Sequence, residues 1–342
     1  MQANQSIVEV AQKFNLDVTT VDMVKPDVYR LVTRTGEQHC LKRMGYPLDY
    51  LSWMDSALHD LRRQGFKSFA WRDPQAPQGK ILFEMANPSD SPYILTPWLQ
   101  GRHPDPTSSE DMIEVAKALS YFHLAGRAVR VSKKGEQNLL GKWPSMLKAR
   151  FEVLQREVDK AKYWKGESEL DLILRAHGDQ LVERANKALE ILKKSDYQAT
   201  CKKAEREGTL CHGDSGPKNF VITAEGPSLI DFETLRIDLR VYDLFRLIRL
   251  ASKKNGWDFS IAQTIVDSYC TVSELTSDEY GLLSVWLQFP GKACRILTRY
   301  ERATGSKEKS EIIRKLKKAM SVEEKISPFL QKLTKYAKER CN

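Results

Sequence analysis

Apolar positions recur at two different periods along this chain, and the change from one to the other divides it. Residues 28–34 (VYRLVTR) and 38–44 (QHCLKRM) have strand composition and flank a Thr35-Gly36 turn, which predicts a β-hairpin. From residue 51 the period becomes helical, with Leu51, Met54, Leu58 and Leu61 on one face and Gly65 placed as a C-terminal cap. Pro74, Pro77 and Gly79 mark a turn before residues 80–85, and Pro88 and Pro92 bound another break. Residues 93–99 (YILTPWL) then predict a buried strand running into a linker. The opening MQANQSIVEVAQKF reads as an amphipathic first helix.

The remainder is mostly helical. Ser108 followed by Glu110 and Asp111 predicts an N-cap with acids in the first turn, and Met112, Val115, Ala116, Leu119 and His123 share a face behind it. Residues 151–194 predict two or three charged helices. Residues 209–211 open a short strand, and 220–223 and 228–231 predict two more around a Glu225-Gly226-Pro227 turn. From Val241 the pattern is helical again, broken at Asn255-Gly256, Pro290-Gly291 and Gly305. Residues 307–338 predict a solvated amphipathic helix pair rather than a nucleic-acid surface. The expectation is an α+β, bilobal architecture, with a small β-rich lobe at 1–98 and a large helical lobe at 99–342 that carries an internal β-hairpin.

Composition narrows this little. The 342 residues are 41% hydrophobic and 29% charged, enough for a sizeable core, and the net charge of +9 is moderate for the length. No apolar run reaches the ~18 residues of a membrane span. The start lacks the basic and apolar regions of a secretory signal. Cys40, Cys201, Cys211, Cys270, Cys294 and Cys341 form no C-x-x-C pair and read as free thiols of a reducing compartment.

Chemistry concentrates in LCHGDSGPKNFVITAEGPSLIDFE, residues 210–233. Asp214 and Asn219 stand five apart on a loop with Gly213, Gly216 and Pro217, and Asp231 follows the apolar pair Leu229-Ile230 after a turn. Phosphoryl transfer to a hydroxyl needs a carboxylate to take the hydroxyl proton and oxygen ligands for Mg2+. A loop–strand–turn–strand unit brings Asn219 back beside Asp231. The Asp214–Asn219 spacing equals that within the protein-kinase loop H-R-D-x-x-x-x-N, with H-G-D here and Asp-Phe-Glu in place of Asp-Phe-Gly. A second triplet, His177-Gly178-Asp179, has Arg184 where Asn is needed and no apolar-apolar-Asp strand behind it, so it reads as a turn or helix junction.

These residues resemble the aminoglycoside phosphotransferase and choline kinase superfamily, whose signature is H-G-D-x-x-x-x-N followed by apolar-apolar-Asp-Phe. Within it, YILTPWLQGR (93–102), LCHGDSGPKNFVI (210–222) and LIDFETLRIDLRVYDLFRLIR (229–249) resemble the CotS group of spore coat kinase-like proteins. The resemblance implies a bilobal protein-kinase-like fold that binds ATP and Mg2+. It implies Asp214 as catalytic base, Asn219 and Asp231 as metal and nucleotide ligands, and Glu233 beside a second ion. Lys42 would pair with the α/β-phosphates, the backbone of Thr96, Pro97 and Trp98 would meet adenine, Asp243 would brace the catalytic loop and His212 would orient it. The acceptor would be a small-molecule hydroxyl compound held by insertions near 126–196. Other spore coat proteins are expected partners, with cytoplasmic synthesis and deposition in the coat.

Two departures bear on activity. Glycine is absent before Gly36, so no glycine-rich clamp joins the first strands, and the helix acid that would pair with Lys42 is uncertain among Asp49, Asp55 and Asp60, each reading more readily as solvated. The alternative function is therefore a catalytically weak or inactive, kinase-like structural protein of the spore coat.

Overall fold

The computed structural model describes residues 2–163, 167–323 and 325–341. Helix α1 (Gln2–Lys13) precedes strands β1 (Val18–Lys25), β2 (Val28–Thr33) and β3 (Gln38–Arg43), helix α2 (Leu48–Arg63) and strand β4 (Tyr93–Pro97). The four strands form one antiparallel sheet in the order β1-β2-β3-β4. Alternation sets its two faces. Leu31, Leu41 and Leu95 turn outward and are covered by Ile7, Val10, Ala11 and Phe14 around α1. Cys40, Lys42, Ile94 and Thr96, at the intervening positions, turn inward to the cleft.

The other core is continuous and much larger. It joins α2 to α3 (Ser109–Gly126), α4 (Trp143–Tyr163), α5 (Glu169–Lys194), α6 (Tyr197–Glu207), α7 (Val241–Lys254), α8 (Phe259–Cys270), α9 (Ser277–Gln288), α10 (Gly291–Arg302), α11 (Ser306–Glu323) and α12 (Ile326–Cys341). Leu51, Met54, Leu58 and Leu61 are all fully buried there, so the face read from periodicity is the packed face. Helix α2 thus sits before the linker in sequence but packs on the helical core. Gly65 takes the left-handed conformation (φ 91°) expected of a residue closing a helix, and Ser108 accepts the Asp111 N–H at 3.2 Å. The final helices pair as expected, burying Leu316, Met320, Phe329 and Leu333. The cysteines whose side chains are described, 40, 201, 211, 270 and 294, are free thiols; the side chain of Cys341 lies outside the described residues. No described helix is long and apolar enough to cross a membrane.

The second H-G-D triplet is neither a turn nor a junction. It lies inside α5, where Gly178 allows close approach of α4: a Cβ there would stand 2.8 Å from a Val158 methyl. The glycine that signalled a turn in sequence is a packing device between two long helices.

Between β5 (Phe220–Thr223), β6 (Gly226–Leu229) and α7, buried polar groups replace apolar ones. Asp243, fully buried in the first turn of α7, accepts the N–H of His212 at 2.6 Å and of Gly213 at 2.8 Å. His123 from α3 donates from Nε2 to Asp243 at 3.0 Å and accepts the Tyr269 hydroxyl on Nδ1 at 2.8 Å. Burial lowers the pKa of His123, so the ring is neutral at pH 7. Burial works against charge on Asp243 as well, but the hydrogen bond from His123 and the surrounding His and Arg groups together outweigh it, and the carboxyl stays below its usual value.

The folded chain therefore withholds a proton from His123 that the unfolded chain accepts below about pH 6.5. This contribution to stability is present above that pH and lost as pH falls through the lowered native value, with Asp243, Tyr269, Arg240 and Glu279 as the neighbouring polar groups. Denaturant midpoints at pH 7.5 and 5.5 should show a larger acid loss in the wild type than in His123→Gln, which should itself be less stable at pH 7.5. Equal pH dependence in the two proteins would exclude a proton-free buried His123.

Candidate active site

A cavity of about 510 Å3 separates the sheet from the β5–β6 hairpin. Val28, Cys40, Lys42, Ile94 and Thr96 form one wall, and Asn219, Val221, Ile230, Asp231 and Glu233 form another. The hairpin reaches it because β5 and β6 pair from Phe220–Leu229 to Thr223–Gly226, while Ile230 N–H donates to the Asn219 carbonyl at 3.0 Å. Asn219 and Asp231, twelve apart in sequence, are tied together as the loop–strand–turn–strand reading required.

Lys42 meets both acids of the Asp-Phe-Glu segment. Its ammonium contacts Asp231 Oδ1 and lies 2.6 Å from Glu233 Oε1. Burial works to lower the Lys42 pKa, but the charges and hydrogen bonds of Asp231 and Glu233 together outweigh it and the net shift is upward. Asp231 is pulled below the usual range against the effect of its own burial, chiefly by Lys42, whereas burial leads in raising Glu233. One ammonium between two carboxylates leaves room for further positive charge. Lys25, from the end of β1, supplies some at 3.8 Å from Asp231.

The helix acid expected for Lys42 does not come from α2. Asp49 is exposed and pairs with Lys134 at 3.2 Å. Asp55 is buried and holds Trp71 Nε1 at 2.9 Å together with Arg72. Asp60 is buried and accepts Arg130 N–H at 2.6 Å and Arg63 at 2.8 Å. Two of the three are therefore paired core groups and not solvated ones. What α2 contributes is Tyr50, whose hydroxyl reaches the carbonyls of Glu233 at 3.0 Å and Leu235 at 2.9 Å and so fixes the segment that bears the acids.

The turn between β1 and β2 is Lys25-Pro26-Asp27-Val28, and Asp27 adopts φ 64° where a glycine would be at ease. Val24 and Lys25 line the cavity beneath it. Thr96, Pro97 and Trp98 line it from the linker side, but Pro97 has no N–H and that of Trp98 donates to Gln38 O at 3.1 Å. Neither Pro97 nor Trp98 therefore has a backbone N–H to offer, and the next residue along the wall is Leu99.

The H-G-D loop is braced at both ends. His212 donates from Nε2 to Ile230 O at 2.9 Å and accepts the Asp214 N–H on Nδ1 at 3.3 Å. Gly213 has φ 83°, and a Cβ would stand 2.2 Å from Thr234 O, so only glycine fits. Ser215 donates to Asp243 O at 2.7 Å. Asn219 Nδ2 donates to Asp214 O at 2.6 Å, which leaves Oδ1 as a hard oxygen donor beside Asp231. The pair fits a divalent cation in donor type and in charge.

Asp214 does not line the cavity; it is 43% exposed at the side chain, and Arg246 of α7 grips its Oδ1. Sequence reasoning passed over Arg246. The available signal was its spacing: three residues after Asp243 on one helix, it faces the same loop.

Residues 22–278 match the sequence profile of the phosphotransferase enzyme family. Spore coat protein S of Bacillus subtilis (strain 168) is 26% identical over 252 residues, covering 72% of this chain and 71% of that one. Among solved structures, an aminoglycoside phosphotransferase from Alicyclobacillus acidocaldarius superposes with a TM-score of 0.79 at 20% identity, over 97% of this chain and 96% of the other. An amicoumacin kinase solved with AMP-PNP and Ca2+ superposes with a TM-score of 0.61 at 12% identity, over 92% of each chain. The kinase-like fold of two lobes is common to these structures, and the chain belongs to the phosphotransferase enzyme family.

Proposed function

We propose that this protein is an ATP-dependent phosphotransferase that acts on a hydroxyl of a small metabolite or saccharide and is deposited in the spore coat. The observation that carries the reading is the Lys42–Asp231–Glu233 cluster on the cavity wall, with Asn219 tied beside it and Asp214 on the same loop. Residues 1–98 would clamp the nucleotide and residues 99–342 would hold the catalytic loop and the acceptor.

Each residue has a task that its surroundings fit. Asn219 Oδ1 and Asp231 would hold Mg2+, with Glu233 placed for a second ion. The ion would supply positive charge against the phosphate oxygens. Lys42, charged and fixed on β3, presents its ammonium to the α/β-phosphates once it leaves the carboxylates. Adenine would sit against the carbonyls of Thr96–Trp98, with Leu99 as the nearest N–H donor. Asp214 accepts the proton of the acceptor hydroxyl as its oxygen attacks the γ-phosphorus and ADP leaves. Arg246 holds one carboxylate oxygen, which orients the other for that proton.

A second reading is favoured by the glycine-free β1–β2 turn and by the lack of an α2 acid for Lys42. In it the cluster is a closed structural contact and the fold serves coat assembly.

Thermal unfolding with ATP and Mg2+ separates the two. A ligand at about 100 times its Kd adds roughly 2.7 kcal/mol of apparent stability. A Mg2+-dependent rise in Tm, absent in Asp231→Ala, is expected; no rise at millimolar nucleotide with folded protein would leave the structural reading. In addition, Asp214→Asn should keep the Mg·ATP rise while losing about 10²–10⁴-fold in phosphoryl transfer. Unchanged turnover in that variant would remove Asp214 from the mechanism.

A further inference from the structure

One row of cross-strand neighbours in the sheet faces the interlobe cavity: Lys25 on β1, Val28 on β2, Lys42 on β3 and Ile94 on β4. Its two lysines are separated by one strand, so their Cα atoms stand about 10 Å apart. Both reach the same carboxylate. Lys42 contacts Asp231 Oδ1, and the Lys25 ammonium lies 3.8 Å from Oδ2.

A bulge aims Lys25 at the cavity. Met23 pairs with Tyr29 and Lys25 with Val28, so Val24 is an extra residue without a partner of its own on β2. Successive strand residues ordinarily point to opposite faces, yet Val24 and Lys25 both line the cavity. Re-aiming a side chain beside a functional cleft is a recurrent use of such bulges.

The backbone of the β1–β2 turn has little to offer a phosphate. A glycine-rich loop works by letting the backbone approach phosphates closely. Here Pro26 has no N–H, and Lys25 and Val28 pair with each other across the hairpin. Asp27 brings a negative charge, which lies 3.7 Å from Arg43, and its carbonyl accepts the Arg43 N–H at 2.9 Å. That bond ties the tip of the turn to β3. Neither Pro26 nor Asp27 lines the cavity. What the turn presents to the cavity is the Lys25 ammonium, on a flexible stem whose side chain is 58% exposed at the sheet edge.

The order of the row sets what each lysine can meet. Thr96 and Pro97 belong to β4, so Lys42 is the nearer of the two lysines to the hinge and Lys25 the farther. A nucleotide with its base at the hinge would run its phosphates outward along the row. From this geometry we infer that Lys25 holds the γ-phosphate of the nucleotide, beyond the phosphates that Lys42 meets, and does with a side chain what a glycine-rich clamp does with its backbone. The inference rests on the phosphotransferase reading and adds to it that the site distinguishes a triphosphate from a diphosphate through β1.

The test is calorimetry on the full chain with Mg2+, titrating AMP-PNP and ADP. Lys25→Met should bind AMP-PNP about tenfold more weakly or worse and keep its ADP affinity within about twofold, as expected for loss of one charge-assisted contact to the terminal phosphate. Lys25→Arg should recover most of the AMP-PNP affinity. The Tm of unliganded Lys25→Met should match the wild type, since an exposed ion pair contributes little to stability. Unchanged AMP-PNP affinity in Lys25→Met would overturn the inference and leave the nucleotide site standing. Equal losses for AMP-PNP and ADP would also overturn it, and would make Lys25 a clasp between the lobes. A wild type that binds neither nucleotide at millimolar concentration would remove the phosphotransferase reading, and the inference with it.

Discussion

One ion cluster joins the two lobes. Lys42 stands on a central strand of the sheet, and its partners Asp231 and Glu233 come from the helical lobe about 190 positions later in the chain. Neither lobe can move independently at this point without separating these part-buried charges. Strand alternation aims Lys42 inward, since its neighbour Leu41 must face α1. Tyr50 holds the carbonyls of the acid-bearing segment from the other side. Two carboxylates face Lys42 here, with Lys25 3.8 Å from Asp231, and the nucleotide reading depends on their accepting a metal ion once Lys42 turns to phosphate.

The second constraint is Asp243. By accepting two consecutive backbone N–H groups it fixes the turn that begins the H-G-D loop, and His123, itself held by Tyr269, fixes Asp243 in turn. A loop without regular secondary structure is thereby held by buried hydrogen bonds that cannot be exchanged for water without loss. Such preorganisation is what places Asp214 and Asn219 at a constant offset from Asp231. The same helix then carries Arg246 to Asp214, so a single element both braces the loop and contacts its carboxylate.

The loop and hairpin of residues 210–233 were legible because their geometry is local. The H-G-D loop, the hairpin and the Asp-Phe pair lie within 24 residues, and turn residues fix their relative positions. Three of the four strands of the sheet and the α2 face were legible from composition, turn residues and period; β1, exposed along most of its length, carries no alternation to reveal it. Tertiary pairing was not. Asp49, Asp55 and Asp60 differ in partner and burial, and no spacing rule separates them; Glu233 took the role expected of them. Gly178 read as a turn because close helix packing uses the same residue as a turn does.

The central claim is that the interlobe cavity binds a nucleotide with its metal on Asn219 and Asp231. The most direct test is a crystal structure of the protein grown with AMP-PNP and Mn2+, read from the anomalous signal of manganese. The account predicts nucleotide in the cavity against Thr96–Trp98, a manganese peak in contact with Asn219 and Asp231, and Lys42 moved from the carboxylates to the phosphates. A cavity without nucleotide at millimolar ligand, or manganese bound elsewhere while Lys42 keeps both carboxylates, would contradict it.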